Sequence, residues 1–142
     1  MAVAYFDSSA LVKLVLTEDE SELAATLWDS CDVAVSSRLA YPEVRAALAA
    51  AGRSGRLGRR ALADAETLWA EIWSEVFVVE LSEPIAFAAG DLATRHGLRG
   101  GDAVHLASAE TMSTATVLFV AWDQRLREGA VARGLAVVPA LN

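Results

Sequence analysis

The sequence predicts an α/β domain in which helices cover both faces of a parallel sheet. Short apolar runs rich in β-forming residues alternate along the chain with longer stretches of helical periodicity. One of them, Val117–Ala121, is continuously apolar, which is typical of a parallel strand that is buried on both faces. The length fits one domain, residues 1–142, and there is no internal repeat, low-complexity tract or linker.

Each half of the chain supplies strands and helices in turn. In the first half, Pro42 is tolerated in a first helical turn and Gly52 breaks the chain after the Ala-rich helix that follows. The predicted helix Glu18–Ser30 has Leu23 and Leu27 on one face. The predicted elements are strand Val3–Phe6, helices Ser8–Leu16 and Glu18–Ser30, strand Val33–Val35, and helices Pro42–Ala51 and Arg59–Ser74.

The second half repeats this alternation. Gly97 and Gly134 end two of its helices, because glycine readily adopts the left-handed conformation found at helix C-termini. Gly100 and Gly101 separate another helix from the one before it, and Pro139 closes the last strand. The predicted elements are strand Phe77–Leu81, helices Glu83–His96 and Asp102–Met112, strand Val117–Ala121, helix Gln124–Arg133 and strand Leu135–Val138.

The composition excludes several classes of protein. The chain contains no run of 18 or more apolar residues that could span a bilayer. Its N-terminus lacks the basic region of a signal peptide. Cys31 is the only cysteine, so neither an intrachain disulfide nor a Cys-rich zinc site can form. The net charge of −7 argues against broad, sequence-independent binding to duplex nucleic acid. We therefore expect a soluble cytoplasmic protein.

Four acidic residues fall near predicted strand ends or helix starts. Asp7 follows the first strand, Glu43 lies in the first turn of the helix after the second, Asp102 follows a glycine pair, and Asp123 follows the fourth strand. Ligands of open parallel α/β sheets bind beyond the carboxyl ends of the strands. The four side chains can therefore converge at one edge of the sheet.

A carboxylate cluster without His or Cys suits Mg²⁺ or Mn²⁺ better than zinc. Such an ion can activate water, bind a phosphate oxygen and stabilise a leaving oxygen, which are the needs of phosphodiester hydrolysis. Without a cation, the packed carboxylates repel one another, and at least one pKa should rise. The competing interpretation is helix capping: Asp7, Asp102 and Asp123 each precede a helical stretch, and Glu43 suits the helix dipole.

The residues around these acids carry a family resemblance that covers essentially the whole chain in order and spacing. The sequence resembles the PIN-domain ribonucleases and, among them, the VapC-type toxins of VapBC toxin–antitoxin pairs. The matching segments are Tyr5–Lys13, Pro42–Leu48, Gly101–Ala109 and Val120–Leu126. The first and third segments are specific, whereas the Pro-Glu element alone is a weak signal.

The resemblance implies a five-stranded parallel sheet in the order 3-2-1-4-5. It also implies that Asp7, Glu43, Asp102 and Asp123 hold one or two Mg²⁺ or Mn²⁺ ions and that Ser9 supports the site. Relatives cut single-stranded or loop RNA, often tRNA or rRNA, and so arrest translation. They pair with a VapB-type antitoxin and commonly form homodimers. Many relatives carry a further acid just after the fourth, where this chain has Gln124 and Arg125.

Other residues have two interpretations each. Lys13, Arg38 and Arg45 lie near the acids and could contact RNA phosphate, or they are solvated surface charges. Trp122 is the best candidate among the tryptophans for stacking on a base. His105 could be a general base, but a lone histidine on an apolar helix is more often packed in the core.

The remaining residues are interpreted in the same way. Trp69 and Trp73 are spaced as core or interface residues. The cluster Arg53, Arg56, Arg59 and Arg60 could grip an RNA backbone or solubilise a helix hairpin.

The leading hypothesis is a magnesium-dependent endoribonuclease of the toxin type. One alternative is a phospho-accepting signalling domain, but such domains pair their acids with a later lysine, and Lys13 is the only lysine here. The other alternative is a binding module without catalysis, against which the presence of all four acids argues.

Overall fold

The computed structural model describes residues 1–142 and contains five parallel strands in the order β3-β2-β1-β4-β5. This order is the one that the resemblance implied. The strands are β1 Val3–Phe6, β2 Val33–Ser37, β3 Phe77–Val79, β4 Val117–Val120 and β5 Ala136–Val138. The helices are α1 Ser8–Val15, α2 Ser21–Ser30, α3 Ala40–Arg53, α4 Arg59–Ser74, α5 Glu83–His96, α6 Gly100–Ala109 and α7 Gln124–Ala132.

Two hydrophobic cores form on opposite faces of the sheet. Successive residues of a strand point to opposite faces, so Tyr5 belongs to one core and Phe6 to the other. Tyr5 stacks on Phe119 in the core shared with α5, α6 and α7, with ring centroids 5.4 Å apart. On the other face, Trp69 is fully buried among residues of α1 and α3, which confirms that it is a core residue. No helix has the combination of length and apolar character that a membrane crossing needs.

Several predicted boundaries were wrong by a few residues. α2 begins at Ser21 rather than Glu18, because Glu20 has the left-handed conformation (φ 69°) that a helix interior does not allow. β2 extends to Ser37, since Ser36 and Ser37 pair with β3. α6 begins at Gly100, so Asp102 lies inside its first turn rather than opening it.

The carboxyl ends of β1 and β4 meet at the edge of the sheet where the acids follow. Phe6 is paired with Val120, and the Asp7 amide donates to the Val120 carbonyl at 3.2 Å. Because β1 pairs in parallel with both β2 and β4, the three strands end at this same edge. From there the chain continues into α1 after β1, α3 after β2 and α7 after β4. The fold thus brings the segments that bear Asp7, Glu43 and Asp123 to one end of the molecule.

Candidate active site

Asp7 is a buried carboxylate at the carboxyl end of the central strand. Its Oδ1 accepts a hydrogen bond from the Ala10 amide at 2.9 Å and another from Ser9 Oγ at 2.7 Å, so it caps α1. Burial raises the pKa of Asp7, and the nearby charge of Asp102 raises it further, although His105 and both hydrogen bonds oppose the shift. The pKa is raised, as expected for one of these acids, but desolvation is the largest cause and repulsion by Asp102 the smallest one named. Asp7 is therefore both a cap and a member of the acidic cluster.

Glu43 projects from the first turn of α3 and has one oxygen engaged by two donors. Its Oε1 accepts from Ser8 Oγ at 2.6 Å and lies 2.8 Å from His105 Nε2. Burial, the largest single influence, raises the pKa of Glu43, but the hydrogen bonds from His105 and Ser8 and the charges of His105 and Arg99 together lower it. Glu43 is therefore held as a carboxylate. Its other oxygen, Oε2, lies 3.1 Å from the position that a Cβ on Gly101 would take.

His105 connects Glu43 to the central strand. Its ring is 2% exposed, and its Nδ1 lies 2.8 Å from the Tyr5 hydroxyl. A carboxylate can only accept, so Nε2 carries the hydrogen toward Glu43. In the neutral ring Nδ1 then accepts, and the Tyr5 hydroxyl donates to it. The prediction that His105 is packed in the core is confirmed, but its polar partners belong to the acidic site.

Asp102 and Asp123 are joined through Arg99. Arg99 Nε donates to Asp102 Oδ2 at 2.9 Å, and Arg99 Nη2 lies 3.7 Å from Asp123 Oδ2. Asp123 also caps α7 by accepting from the Leu126 amide at 2.9 Å. These side chains line a cavity of about 280 Å³, together with Arg125 and the Gly97–Leu98 turn.

The four predicted acids lie at one edge of the sheet, where Asp102 is near Asp7 and Arg99 is near the other three. Asp102 acts on the pKa of Asp7, and the Arg99 guanidinium interacts with Glu43, Asp102 and Asp123. As the side chains stand, no three Asp, Glu, His or Cys residues are grouped to hold one ion, so the shared metal site of the four acids remains a prediction. Each acid is instead held by its own hydrogen bonds or by Arg99. The capping interpretation holds for Asp7 and Asp123, whereas Asp102 lies inside the first turn of α6 and is not its cap.

The predicted RNA contacts differ in their surroundings. Lys13 is engaged by other protein groups: its Nζ donates to Glu18 Oε1 and to the Asp19 carbonyl, and it lies over the Trp122 ring. Arg38 forms an exposed bidentate ion pair with Glu80.

The other two candidates have few polar partners. The Arg45 guanidinium donates only to the Tyr41 hydroxyl, and the indole nitrogen of Trp122 is buried without a partner. All four residues remain predicted contacts, of which Lys13 is the most engaged by protein.

Sequence reasoning missed Arg99 and Ser8, and it weighed His105 as a core residue or a general base but not as a partner of Glu43. Arg99 precedes Asp102 by three residues and His105 follows it by three, which is the spacing of neighbours on a helix. That spacing was a usable signal for both. The contact between Ser8 and Glu43 spans 35 residues, and no local pattern in the sequence points to it.

Comparisons with known proteins agree with this fold. Residues 4–131 match the model of the PIN domain family. The chain is 54% identical to Ribonuclease VapC45 of Mycobacterium tuberculosis, over 99% of this chain and 97% of that protein. The chain therefore belongs to the PIN-domain family. Within that family it is a VapC-type protein.

Solved structures show the same fold at low sequence identity. M. tuberculosis VapC20, a sarcin–ricin loop cleaving toxin, superposes with a TM-score of 0.67 at 20% identity, covering 94% of this chain and 96% of that one. A chain of a toxin–antitoxin complex from Klebsiella pneumoniae gives a TM-score of 0.62 at 20% identity, covering 85% and 87%. At these identities the likeness concerns the fold alone.

Proposed function

We propose that this protein is a metal-dependent endoribonuclease and the toxin of a toxin–antitoxin pair. The observation that carries the proposal is the set of four carboxylates at the carboxyl end of the sheet, among them a buried Asp7 with a raised pKa. The chain is 54% identical, over 99% of its length, to a protein named as a ribonuclease, and this identity supports RNA as the substrate.

The residues present fit Mg²⁺ or Mn²⁺ by their chemistry. The candidate ligands Asp7, Glu43, Asp102 and Asp123 offer only oxygen donors, which these hard cations prefer. Glu43 Oε1 is occupied by Ser8 and His105, which leaves Oε2 as its free ligand oxygen. When bound, the ion supplies the positive charge that activates water and stabilises the leaving oxygen of a phosphodiester.

The protein's own residues prepare the site for that chemistry. Ser8 and His105 hold Glu43 ionised in one orientation, and Ser9 holds Asp7. Burial of Asp7 keeps bulk water away from the innermost carboxylate. Glu43, Asp102 and Asp123 are partly exposed, so an RNA phosphate can reach the cluster from the solvent side. RNA contacts from Lys13, Arg38, Arg45 and Trp122 belong to the same proposal.

The partners follow from the same assignment. We propose a cognate VapB-type antitoxin, supported by the toxin–antitoxin complex that shares this fold. A basic inhibitory segment of the antitoxin complements the acidic net charge of −7.

The substrate class is single-stranded or structured RNA, with tRNA or rRNA as the expected targets, in the cytoplasm. A homodimer or toxin–antitoxin hetero-oligomer is the expected assembly.

The test is Mg²⁺-dependent cleavage of RNA, first with purified protein and then in cells by sequencing the RNA ends that appear on induction. We expect specific new ends with the wild type, and their loss in Asp7→Asn, Asp102→Asn and after chelation by EDTA. Asp29→Asn is the matched control, because Asp29 is an exposed acid on α2 and its loss changes the formal charge equally.

Three outcomes separate the alternatives. Cleavage that survives in Asp7→Asn would refute the proposed site. Binding of metal without cleavage of any RNA would favour the catalytically silent binding module. Stable covalent labelling of Asp7 by a small phosphodonor would instead favour the phospho-signalling domain.

A further inference from the structure

Arg99 is the cation most closely engaged with the acidic cluster. It lies just before the first residue of α6 and uses no side-chain hydrogen bond to cap that helix. Its guanidinium pairs with Asp102 at 2.9 Å and with Asp123 at 3.7 Å, and its charge also acts on Glu43. It therefore supplies positive charge where a divalent cation would bind.

The attachment of Arg99 to these carboxylates is easily exchanged. Its side chain is 78% exposed, so water can replace each of its contacts. Exposed ion pairs contribute little to stability, and the side chain is free to swing on its long stem. A divalent cation that binds Asp102 and Asp123 competes directly with the guanidinium.

The cavity around Arg99 has the composition of a phosphate site once its acids are neutralised. Arg125 lines the same cavity, and its Nη1 donates to the Gly97 carbonyl rather than to an acid. Guanidinium groups bind phosphate in a bidentate manner, with a geometry that lysine cannot match. Two arginines beside the carboxylates thus provide donors for the nonbridging oxygens of a phosphodiester.

We propose that Arg99 exchanges between two partners: it pairs with Asp102 and Asp123 in the metal-free protein and, when metal binds, turns to a phosphate of the RNA, with Arg125 as the second phosphate donor. This inference rests on the proposed function and deepens it by naming the phosphate subsite. It predicts opposite effects of one substitution on two binding reactions, which a merely structural role for Arg99 would not produce.

The test measures Mn²⁺ binding by calorimetry and RNA binding by fluorescence anisotropy for Arg99→Gln. The RNA probe is a labelled single strand of mixed sequence in Ca²⁺, with gels to verify that it stays intact. We expect roughly threefold tighter Mn²⁺ binding, as the loss of an exposed competing ion pair implies. We expect about tenfold weaker RNA binding from the loss of one charged hydrogen-bonding group. The salt slope of RNA binding should fall by about 1.

Three variants complete the experiment. Arg125→Gln should weaken RNA binding and leave Mn²⁺ affinity unchanged, because Arg125 does not pair with an acid. Arg133→Gln is the matched control: Arg133 forms a similar ion pair with Glu110, away from this cavity, and neither affinity should change. Arg99→Lys keeps the charge without the bidentate geometry and should restore part of the RNA affinity.

The results have distinct meanings. RNA binding of Arg99→Gln equal to that of Arg133→Gln would overturn the inference, as would Mn²⁺ binding that is unchanged or weaker. In both cases the proposed nuclease function would stand. Failure of the wild type to bind Mn²⁺ at all would overturn the proposed function itself, and the exchange of Arg99 with it.

Discussion

Asp7 is a carboxylate whose burial opposes its ionisation. The fold encloses it at the end of β1 and offers it hydrogen bonds from Ser9 and Ala10, yet its pKa is raised. Because the raised pKa belongs to the folded state, ionisation of Asp7 at neutral pH works against folding. A bound cation would reverse this effect, which is why a buried acid at this position fits a metal site.

Asp7→Asn should stabilise the metal-free protein at pH 7, because asparagine keeps the cap and removes the buried charge. The penalty in the wild type is full above the raised folded-state pKa and vanishes below the unfolded value, about 3.9. The gain should therefore shrink as the pH falls toward about 4. Urea unfolding in EDTA at several pH values measures it, with Asp29→Asn as control. A less stable Asp7→Asn at pH 7 would contradict this account.

The Tyr5 hydroxyl completes the hydrogen bonds of His105. Tyr5→Phe leaves the buried Nδ1 of His105 without its donor, and we expect a loss of roughly 1–3 kcal/mol in the free energy of unfolding. Tyr41→Phe is the control, since the Tyr41 hydroxyl takes part only in an exposed bond with Arg45 and should cost far less. Equal stability of the two variants would show that the link from Tyr5 to His105 has no energetic role.

At the scale of the elements, sequence patterns placed the start of α6 two residues too late. A glycine pair predicted a break before Asp102, but both glycines lie inside the helix. A Cβ at Gly101 would lie 3.1 Å from Glu43 Oε2 and 3.8 Å from the Leu39 side chain, so the Glu43 carboxylate would have to shift slightly to admit it. That approach depends on how α3 packs on α6, which local propensity does not contain.

The glycine pair offers a sharp test of this packing. A Cβ at Gly100 meets nothing within 4 Å, whereas one at Gly101 would lie 3.1 Å from Glu43 Oε2. Gly100→Ala should therefore stabilise the protein by up to about 1 kcal/mol through helix propensity, with unchanged RNA cleavage. Gly101→Ala should gain less stability and lose about tenfold in cleavage, because a small displacement of a positioned group can cost up to 10²-fold. Thermal unfolding and cleavage assays compare the two; identical behaviour would contradict the close approach.

At the scale of the whole molecule, the carboxylate cluster couples stability to metal. Mg²⁺ that binds only the folded state should raise the free energy of unfolding by about 2.7 kcal/mol at a concentration 100 times Kd. The increase should be absent in Asp102→Asn. Thermal scans with and without EDTA measure it, and NaCl at matched ionic strength corrects for screening of the net charge of −7. An equal rise with NaCl alone would exclude a specific metal effect.

The sequence by itself determined the α/β class, the alternation of strands with helices and the four acids at strand ends and helix starts. These features are local, since they follow from apolar periodicity, glycine and proline positions, and from residues adjacent in the chain. The strand order came from the family resemblance, and the pairing in the structure confirms it.

Only the tertiary structure decided which side chains surround the acids. Glu43 meets Ser8 across 35 residues and His105 across 62, and Tyr5 meets His105 across 100. Side chains so far apart in sequence meet only when helices from different parts of the chain pack at one edge of the sheet. Arg99 pairs with Asp102 three residues further along the chain, but only the same packing brings Asp123 within 3.7 Å of its guanidinium.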